Sequence, residues 1–157
     1  MFNLFKKNNS LEVGSPINGE CVQLEEVNDS MFSQKMLGDG IAIIPSGNTF
    51  VSPCDGVISA FFPSLHAFGV TTNDGIEILV HIGLDTVNEN GKGFTSTMVQ
   101  GKKVKKGDVI VTADMDYLKQ KYDMTTMIVV TNAKEKSIQE RSVNQTVNSM
   151  DTLFVLK

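Results

Sequence analysis

The sequence predicts an all-β fold, an antiparallel β-sandwich or barrel-like hybrid with a duplicated motif and one or two short helices. The first observation is that short β-rich runs alternate with Gly, Pro, Asn and Asp along most of the 157 residues. This spacing is typical of sandwiches and barrels. The second is that one turn-and-strand segment recurs later in the chain.

The predicted strands are short and bounded by turn residues. A helix is predicted over Met115–Tyr122, because Asp114 can serve as its N-cap. Another turn of helix is expected over Phe32–Leu37. The strands are expected at 20–25, 40–44, 56–62, 66–72, 76–82, 108–113, 126–131 and 152–156.

The duplicated motif is Ser15–Cys21, which recurs as Ser52–Ile58. Each copy supplies Pro, then Asn or Asp followed by Gly, then a predicted strand. Pro fixes φ, and Asx-Gly allows the chain to reverse at little steric cost. A repeat of this length fits one supersecondary unit used twice, although Pro-x-Asx-Gly is also a common entry to a turn.

Composition places the chain among cytoplasmic proteins with one domain. We expect residues 1–11 to form a flexible leader and 12–157 the domain. The formal charge of −4 argues against nucleic acid as a partner. No apolar run approaches the ~20 residues of a membrane span. With no secretory signal expected, Cys21 and Cys54 are predicted to be reduced, small apolar residues.

The only two histidines, His66 and His81, flank one predicted hairpin. If residues 74–75 (Asp-Gly) form a two-residue loop, Phe68 pairs with His81 and His66 pairs with Gly83. The two imidazoles would then share a face, with Cβ atoms roughly 7–8 Å apart. A three-residue loop would shift the register by one and place them on opposite faces.

The residues themselves leave several uses open for the histidine pair. Both could be structural, or they could bind zinc, although the chain has none of the usual zinc-ligand motifs. Phosphoryl transfer is a third use, in which one imidazole attacks phosphorus and the other stabilises the equatorial oxygens. Ser-His catalysis through Ser64 has weaker support. The candidate additional metal ligands are Asp29, Asp39, Cys54 and Asp85.

A longer pattern around the histidines decides between these uses. His66–Gly69 followed by Asp74–Val87 resembles the signature of the glucose-type enzyme IIA of the bacterial sugar phosphotransferase system. The His-Ile-Gly-Leu-Asp-Thr-Val stretch, fifteen residues after His-Ala-Phe, is the specific part. The likeness covers roughly 12–157 and includes 38–43, 53–56, 91–94 and 101–108.

The resemblance implies a phosphohistidine carrier on a β-sandwich-like fold, with no cofactor and no metal. The phosphocarrier protein HPr would be the donor, and a cysteine of a sugar-permease IIB domain the acceptor. His81 would accept the phosphoryl group at Nε2, with its Nδ1–H held by the carbonyl of Gly83. His66 would stabilise the group, and Ser64 would supply a hydroxyl where the family usually has Thr.

The resemblance also implies a docking face of apolar residues ringed by carboxylates. Such a surface suits partners that present apolar area together with Arg or Lys. Leu79 and Leu37 could instead be ordinary core residues. The expected docking residues are Asp29, Met31, Phe32, Met36, Leu37, Phe62, Leu79, Asp85 and Val87.

Three further expectations complete the prediction. The chain has no segment for the membrane IIC domain and no recognisable IIB loop, so we expect a free-standing IIA protein, or a IIA domain cut from a larger permease, that meets the membrane only through the permease. The alternatives are a zinc-dependent hydrolase on a related duplicated β-fold and a biotinyl- or lipoyl-like carrier module. The carrier module lacks the Met-Lys-Met or Asp-Lys-Ala tip that would bear its cofactor.

Overall fold

The computed structural model describes residues 10–157. Most of the predicted leader, positions 1–9, lies outside the described residues. Leu11, which the prediction assigned to that leader, instead begins the first strand.

The described residues form short strands and two single-turn helices. The helices are α1 (Ser30–Ser33) and α2 (Met115–Leu118), and 3₁₀ turns cover Leu24–Glu26 and Thr86–Glu89. The strands are β1 (Leu11–Gly14), β2 (Gly19–Gln23), β3 (Asp39–Pro45), β4 (Thr49–Val51), β5 (Gly56–Phe61), β6 (Ala67–Thr71), β7 (Glu77–Ile82), β8 (Phe94–Thr95), β9 (Lys103–Val104), β10 (Val109–Ala113), β11 (Thr126–Asn132), β12 (Ile138–Gln139), β13 (Thr146–Val147) and β14 (Thr152–Leu156).

All eight predicted strands are present, and the prediction missed the shorter strands β1, β4, β8, β9, β12 and β13. The two observed helices are displaced or shorter than the predicted ones. Asp114 does cap α2, accepting from Tyr117 N at 3.2 Å, but the helix ends at Leu118 rather than Tyr122. The prediction of Phe32–Leu37 was wrong in its second half, because the left-handed Lys35 (φ 59°) ends the helical path.

The strands form three antiparallel sheets, which confirms the predicted fold class. The large sheet has the order β13-β2-β3-β11-β7-β6-β5-β9, and the small sheets have the orders β1-β14-β12 and β4-β10-β8. When the large sheet is read inward from its two edges, each strand has an equivalent on the other side: β13 and β9, β2 and β5, β3 and β6, β11 and β7. The two small sheets are likewise equivalent to each other. Residues 10–157 therefore form two halves of seven strands each.

Matching hydrogen bonds at the start of the two copies of the motif confirm the duplication. Gly14 N donates to Pro53 O at 2.9 Å, and 37 residues later Val51 N donates to Pro16 O at 2.8 Å. The serine that opens each copy also donates to a carbonyl two residues on: Ser15 Oγ to Ile17 O at 2.6 Å and Ser52 Oγ to Cys54 O at 2.7 Å. The copies thus contact each other reciprocally, as units related by an approximate two-fold axis do.

The halves are interleaved along the chain. One half consists of β1–β3 and β11–β14, and the other, β4–β10, is inserted between these two parts. The sequence revealed only the start of each half, because the later strands of the two halves share no comparable motif.

The large sheet buries apolar side chains on both faces. On β11, Ile128 and Val130 belong to the main core, whereas Met127 and Val129 belong to a smaller cluster on the opposite face. This second cluster consists of Leu24, Val27, Phe32, Ala42, Leu84, Met127 and Val129, with Val22, Leu37 and Leu79 packed against it.

Two sequence expectations concern buried residues and membrane spans. Cys21 and Cys54 are free and buried, as predicted, and burial raises the pKa of Cys54 to about 12. Among residues 10–157, no helix is long and apolar enough to cross a membrane.

Candidate functional site

The two histidines meet on the face of the large sheet that carries the second cluster. On β7, Val80 and Ile82 face the main core, so the alternating direction of strand side chains turns His81 to the other face. Its ladder partner on β11 is Met127, a member of the second cluster. The His66 and His81 ring centroids lie 4.9 Å apart in an edge-to-face arrangement.

The predicted register of the hairpin was wrong by one residue. Its loop has three residues, since Thr72 N donates to Ile76 O and Gly75 N donates to Thr72 O, both at 2.9 Å. Gly75 adopts φ 87°, as expected for a type I turn followed by a left-handed residue. His81 therefore pairs with Ala67 rather than with Phe68.

The histidines share a face in spite of this register. His66 lies just before β6, and Leu65 immediately before it is left-handed, with φ 63°. The alternation of side chains along a strand therefore does not apply to His66. Its backbone still extends the ladder between β6 and β7, because Ile82 N donates to His66 O at 2.7 Å.

Each imidazole has one nitrogen fixed by a neighbour two residues away. His81 Nδ1 lies 2.9 Å from Gly83 O, and His66 Nδ1 lies 2.6 Å from Ser64 Oγ. A carbonyl oxygen can only accept, so Nδ1 of His81 carries the proton and Nε2 keeps its lone pair. For His66 the serine hydroxyl can donate or accept, so either tautomer is compatible.

Gly83 is required at its position for two reasons. Its φ of 80° is a left-handed conformation that favours glycine. A Cβ atom there would also lie 2.6 Å from Thr86 Cγ2 and 2.9 Å from Met124 Sδ. The carbonyl that fixes the His81 ring is thus set by a backbone shape that other residues disfavour.

The site keeps both imidazoles neutral at physiological pH. Burial, together with a smaller effect of the neighbouring His81, lowers the pKa of His66 to about 4. Burial also lowers the pKa of His81, although the Gly83 hydrogen bond and the carboxylates of Asp29 and Asp85 act in the opposite direction. A neutral ring with a free lone pair is the form in which histidine acts as a nucleophile.

Two aromatic rings flank the pair. Phe62 meets the His66 ring edge to face at 5.3 Å, and Phe32 lies 5.0 Å from the His81 ring. Phe32 is only 3% exposed, so little of its ring is open to a partner, and its place in the docking face stays a prediction. Its side chain packs into the second cluster because α1 folds over that face of the sheet.

The other predicted docking residues are buried to different depths. Leu37 and Leu79 are half-buried against the second cluster, so both have the core contacts that the sequence left open. Asp29 is half-buried and caps α1 by accepting from Met31 N at 2.9 Å, while Asp85 is exposed and left-handed (φ 62°). The exposed apolar members are Met31, Met36, Phe62 and Val87.

The structure contains supporting residues that sequence reasoning missed. Thr86 is fully buried and its Oγ1 donates to Ile82 O at 2.5 Å, which fixes the turn after His81. Its place inside the Asp-Thr-Val signature was the available signal. The left-handed conformation of Leu65 was also missed, because a leucine side chain does not favour a positive φ.

The alternative of a zinc site finds no support among the described residues. Within 10–157, no group of three or more His, Cys, Asp and Glu side chains could hold a metal ion. Cys54 lines a cavity with Asp55, Asp74 and Lys106, apart from the histidine pair.

Comparisons with known proteins bear on the whole chain. Residues 11–136 match the family model described as phosphoenolpyruvate-dependent sugar phosphotransferase system, EIIA 1. The PTS system glucose-specific EIIA component of Borreliella burgdorferi is 41% identical over 153 residues, which cover 97% of this chain and 80% of that protein. The solved glucose permease IIA from Mycoplasma capricolum superposes with a TM-score of 0.92 at 38% identity, covering 100% of both chains.

Two further relatives are much longer than this chain. The beta-glucoside-specific EIIBCA component of Halalkalibacterium halodurans is 43% identical over 146 residues, 92% of this chain and 23% of that protein. The glucose-specific EIICBA component of Streptococcus pneumoniae is 48% identical over 122 residues, 77% of this chain and 17% of that protein. In both, the similar region is therefore one part of a larger protein.

Proposed function

Because the chain belongs to the EIIA 1 family of the phosphoenolpyruvate-dependent sugar phosphotransferase system, we propose that His81 is its phosphoryl-accepting residue. Members of this family are phosphocarriers that pass a phosphoryl group to a IIB domain in sugar uptake, and this chain is a phosphotransferase component of that kind. The hydrogen bond from His81 Nδ1 to Gly83 O, 2.9 Å long, carries the residue assignment. We further propose that 12–157 act as one IIA domain and work in the cytoplasm.

The first step is attack by His81 Nε2 on the phosphorus of the donor phosphohistidine. A nitrogen–phosphorus bond forms at Nε2, while the donor's nitrogen–phosphorus bond breaks and its electron pair returns to the donor ring. The His81 ring gains positive charge in this step. The Nδ1–H stays on the ring, and its bond to Gly83 O stabilises that charge.

His66 stabilises the transferred group. With Ser64 Oγ donating to His66 Nδ1 over 2.6 Å, the proton of the neutral ring resides on Nε2, which can donate to an equatorial phosphoryl oxygen. Ring centroids 4.9 Å apart put both imidazoles around a single phosphoryl group. Ser64 thus orients the His66 ring and is compatible with this tautomer, whereas the Gly83 carbonyl permits only one tautomer of His81.

The docking face recognises the donor, which we propose is HPr. Asp29 and Asp85 place negative charge beside His81, and exposed Met31, Met36 and Val87 supply apolar area around it. A donor that presents Arg or Lys within an apolar surface would complement both features. Its cations would also offset the repulsion between these carboxylates and the incoming phosphoryl group.

The phosphoryl group then passes to a IIB domain of a sugar permease. In the two longer relatives, the names EIIBCA and EIICBA record fusion of the A part to B and C parts. We propose a cysteine thiolate of IIB as the nucleophile, which forms a sulfur–phosphorus bond as the His81 nitrogen leaves. The neutral His81 ring is then restored for the next cycle.

The deciding experiment is a phosphorelay followed by intact mass. The chain is mixed with phosphoenolpyruvate, magnesium, enzyme I and HPr, and the expected result is a gain of one acid-labile phosphate. His81→Gln should gain none, whereas Cys54→Ser, away from the histidines, should gain the phosphate like the wild type. Phosphate on the His81→Gln variant would overturn the residue assignment, and no gain by the wild type with an active HPr would overturn the proposed donor.

A further inference from the structure

Outside the histidine pair, Glu89 is the centre of a densely hydrogen-bonded charged cluster. Its Oε1 accepts from Tyr117 OH at 2.5 Å, and its Oε2 accepts from Lys121 Nζ at 2.8 Å and Tyr122 OH at 2.6 Å. The Glu89 side chain is 5% exposed, against 48% for Lys121. The carboxylate is therefore shielded from water by its three donors.

These contacts keep the cluster charged over the physiological range. The Lys121 ammonium, followed by the hydroxyls of Tyr117 and Tyr122, lowers the pKa of Glu89 to about 2. Two ammonium groups also lie near the face of the Tyr117 ring, Lys92 Nζ at 5.1 Å and Lys121 Nζ at 5.4 Å from its centroid. Nothing in the phosphoryl-transfer steps uses this cluster.

Glu89 ends the 3₁₀ turn that follows the His81 strand. The beginning of this segment is already fixed, because Leu84 N donates to Asp123 O at 2.8 Å and Thr86 Oγ1 donates to Ile82 O at 2.5 Å. The Glu89 carboxylate fixes the other end to α2 and the residues that follow it. The turn is thus attached to the rest of the protein at both ends.

This turn forms one wall of a groove beside the histidines. The groove has a volume of about 350 Å³, with Val87 and Asn90 on one side and Phe62, Pro63 and Ser64 on the other. Asn90 N donates to Val87 O at 3.1 Å, so a backbone hydrogen bond joins the two residues of the first wall. The second wall includes Ser64, whose hydroxyl lies 2.6 Å from His66 Nδ1.

We propose that Glu89 is a positioning residue that sets the width of this groove for the phosphoryl donor, through its hydrogen bonds to Tyr117, Lys121 and Tyr122. The proposal rests on the proposed function, since it assigns the groove to the docking face. Loss of the carboxylate removes an anchor of the turn that carries Val87, and it removes no contact of His81 or His66. Donor binding therefore weakens, while the chemistry at Nε2 is unchanged.

The test compares Glu89→Gln with Glu140→Gln in steady-state transfer from phosphorylated HPr. Glu140 also forms an ion pair, with Lys157 at 3.0 Å, but on the exposed β12–β14 side of the fold. A Gln amide retains one acceptor oxygen, and its NH₂ group faces the Lys121 ammonium. We expect KM for Glu89→Gln to rise about fivefold to tenfold with kcat within twofold, and Glu140→Gln to match the wild type.

A spectroscopic readout and a milder variant complete the experiment. The ¹⁵N shift of His81 Nε2 should be unchanged in Glu89→Gln, while the amides of 86–90 lose hydrogen-exchange protection. Should Glu89→Gln fail to fold, Tyr122→Phe, which removes one of the three donors, should raise KM in the same direction but less.

The outcomes distinguish the positioning role of Glu89 from the carrier function itself. An unchanged KM in a folded Glu89→Gln chain, or a fall in kcat at constant KM, would overturn the positioning role while leaving the carrier function intact. A wild-type chain that takes no phosphate from HPr would remove the donor on which both proposals depend.

Discussion

His66 and His81 contact each other edge to face across 4.9 Å, although the residue paired with His81 in the sheet is Ala67. The contact depends on the left-handed Leu65, which lets His66 leave the path of β6 before the strand begins. The approach of the two rings is therefore set by a local backbone conformation at the strand end as well as by the register of the hairpin.

Replacing His66 should separate acceptance of the phosphoryl group from its onward transfer. His66→Gln retains the His81 nucleophile and its bond to Gly83, so the chain should still gain one phosphate. Without the imidazole donor, transfer to a IIB domain should slow by about 100-fold or more. Rapid-quench transfer to IIB measures this rate, and a variant as fast as the wild type would contradict the stabilising role.

Ser64 should matter through its hydroxyl alone. Ser64→Ala removes the 2.6 Å contact with His66 Nδ1 and should slow onward transfer by about tenfold, or ~1.4 kcal/mol. Ser64→Thr keeps the oxygen and should remain within about twofold of the wild type. Equal rates for the alanine and threonine variants would show that this hydrogen bond does not orient His66.

The depressed pKa of His66 should make the fold less stable in acid. An unfolded histidine titrates near 6.5 and folded His66 at about 4, so the unfolded chain binds the extra proton first. The stability that neutral His66 contributes is fully present above pH 6.5. It is lost as the pH falls toward 4, by up to about 3 kcal/mol. Urea unfolding of wild type and His66→Gln at several pH values should give a stability difference that changes over this window, and a constant difference would exclude the effect.

Phe32 should behave as a core residue and Met36 as a surface residue. Phe32→Ala removes a ring that is 3% exposed and packed against His81, and should lower the free energy of unfolding by about 3 kcal/mol. Met36, which is 66% exposed, should cost less than about 0.5 kcal/mol when changed to Ala. Chemical denaturation measures both, and equal losses would contradict the assignment of Phe32 to the second cluster.

Much of the fold was predictable because strand-forming runs and Gly, Pro and Asx turns are local signals. The eight longer strands and the start of the duplication follow from them, whereas the shared face of the histidines was predicted from a two-residue loop that the hairpin does not have. The register of the hairpin was not predictable, because Asn73-Asp74-Gly75 is compatible with a two-residue loop and with a three-residue loop. These loops differ in register by one residue. Burial of Phe32 depends on how α1 folds over a distant strand, which no local pattern encodes.

The pairing of β1 with β14 has a consequence for how the protein is made. Leu11 lies opposite Leu156, so residues from opposite ends of the domain share one ladder. During synthesis the first strand leaves the ribosome long before its partner exists, whereas β4–β10 already have their own neighbours. We expect the inserted half to become ordered first, and closure of the outer half to be the slow step, because joining such distant segments costs the most chain entropy.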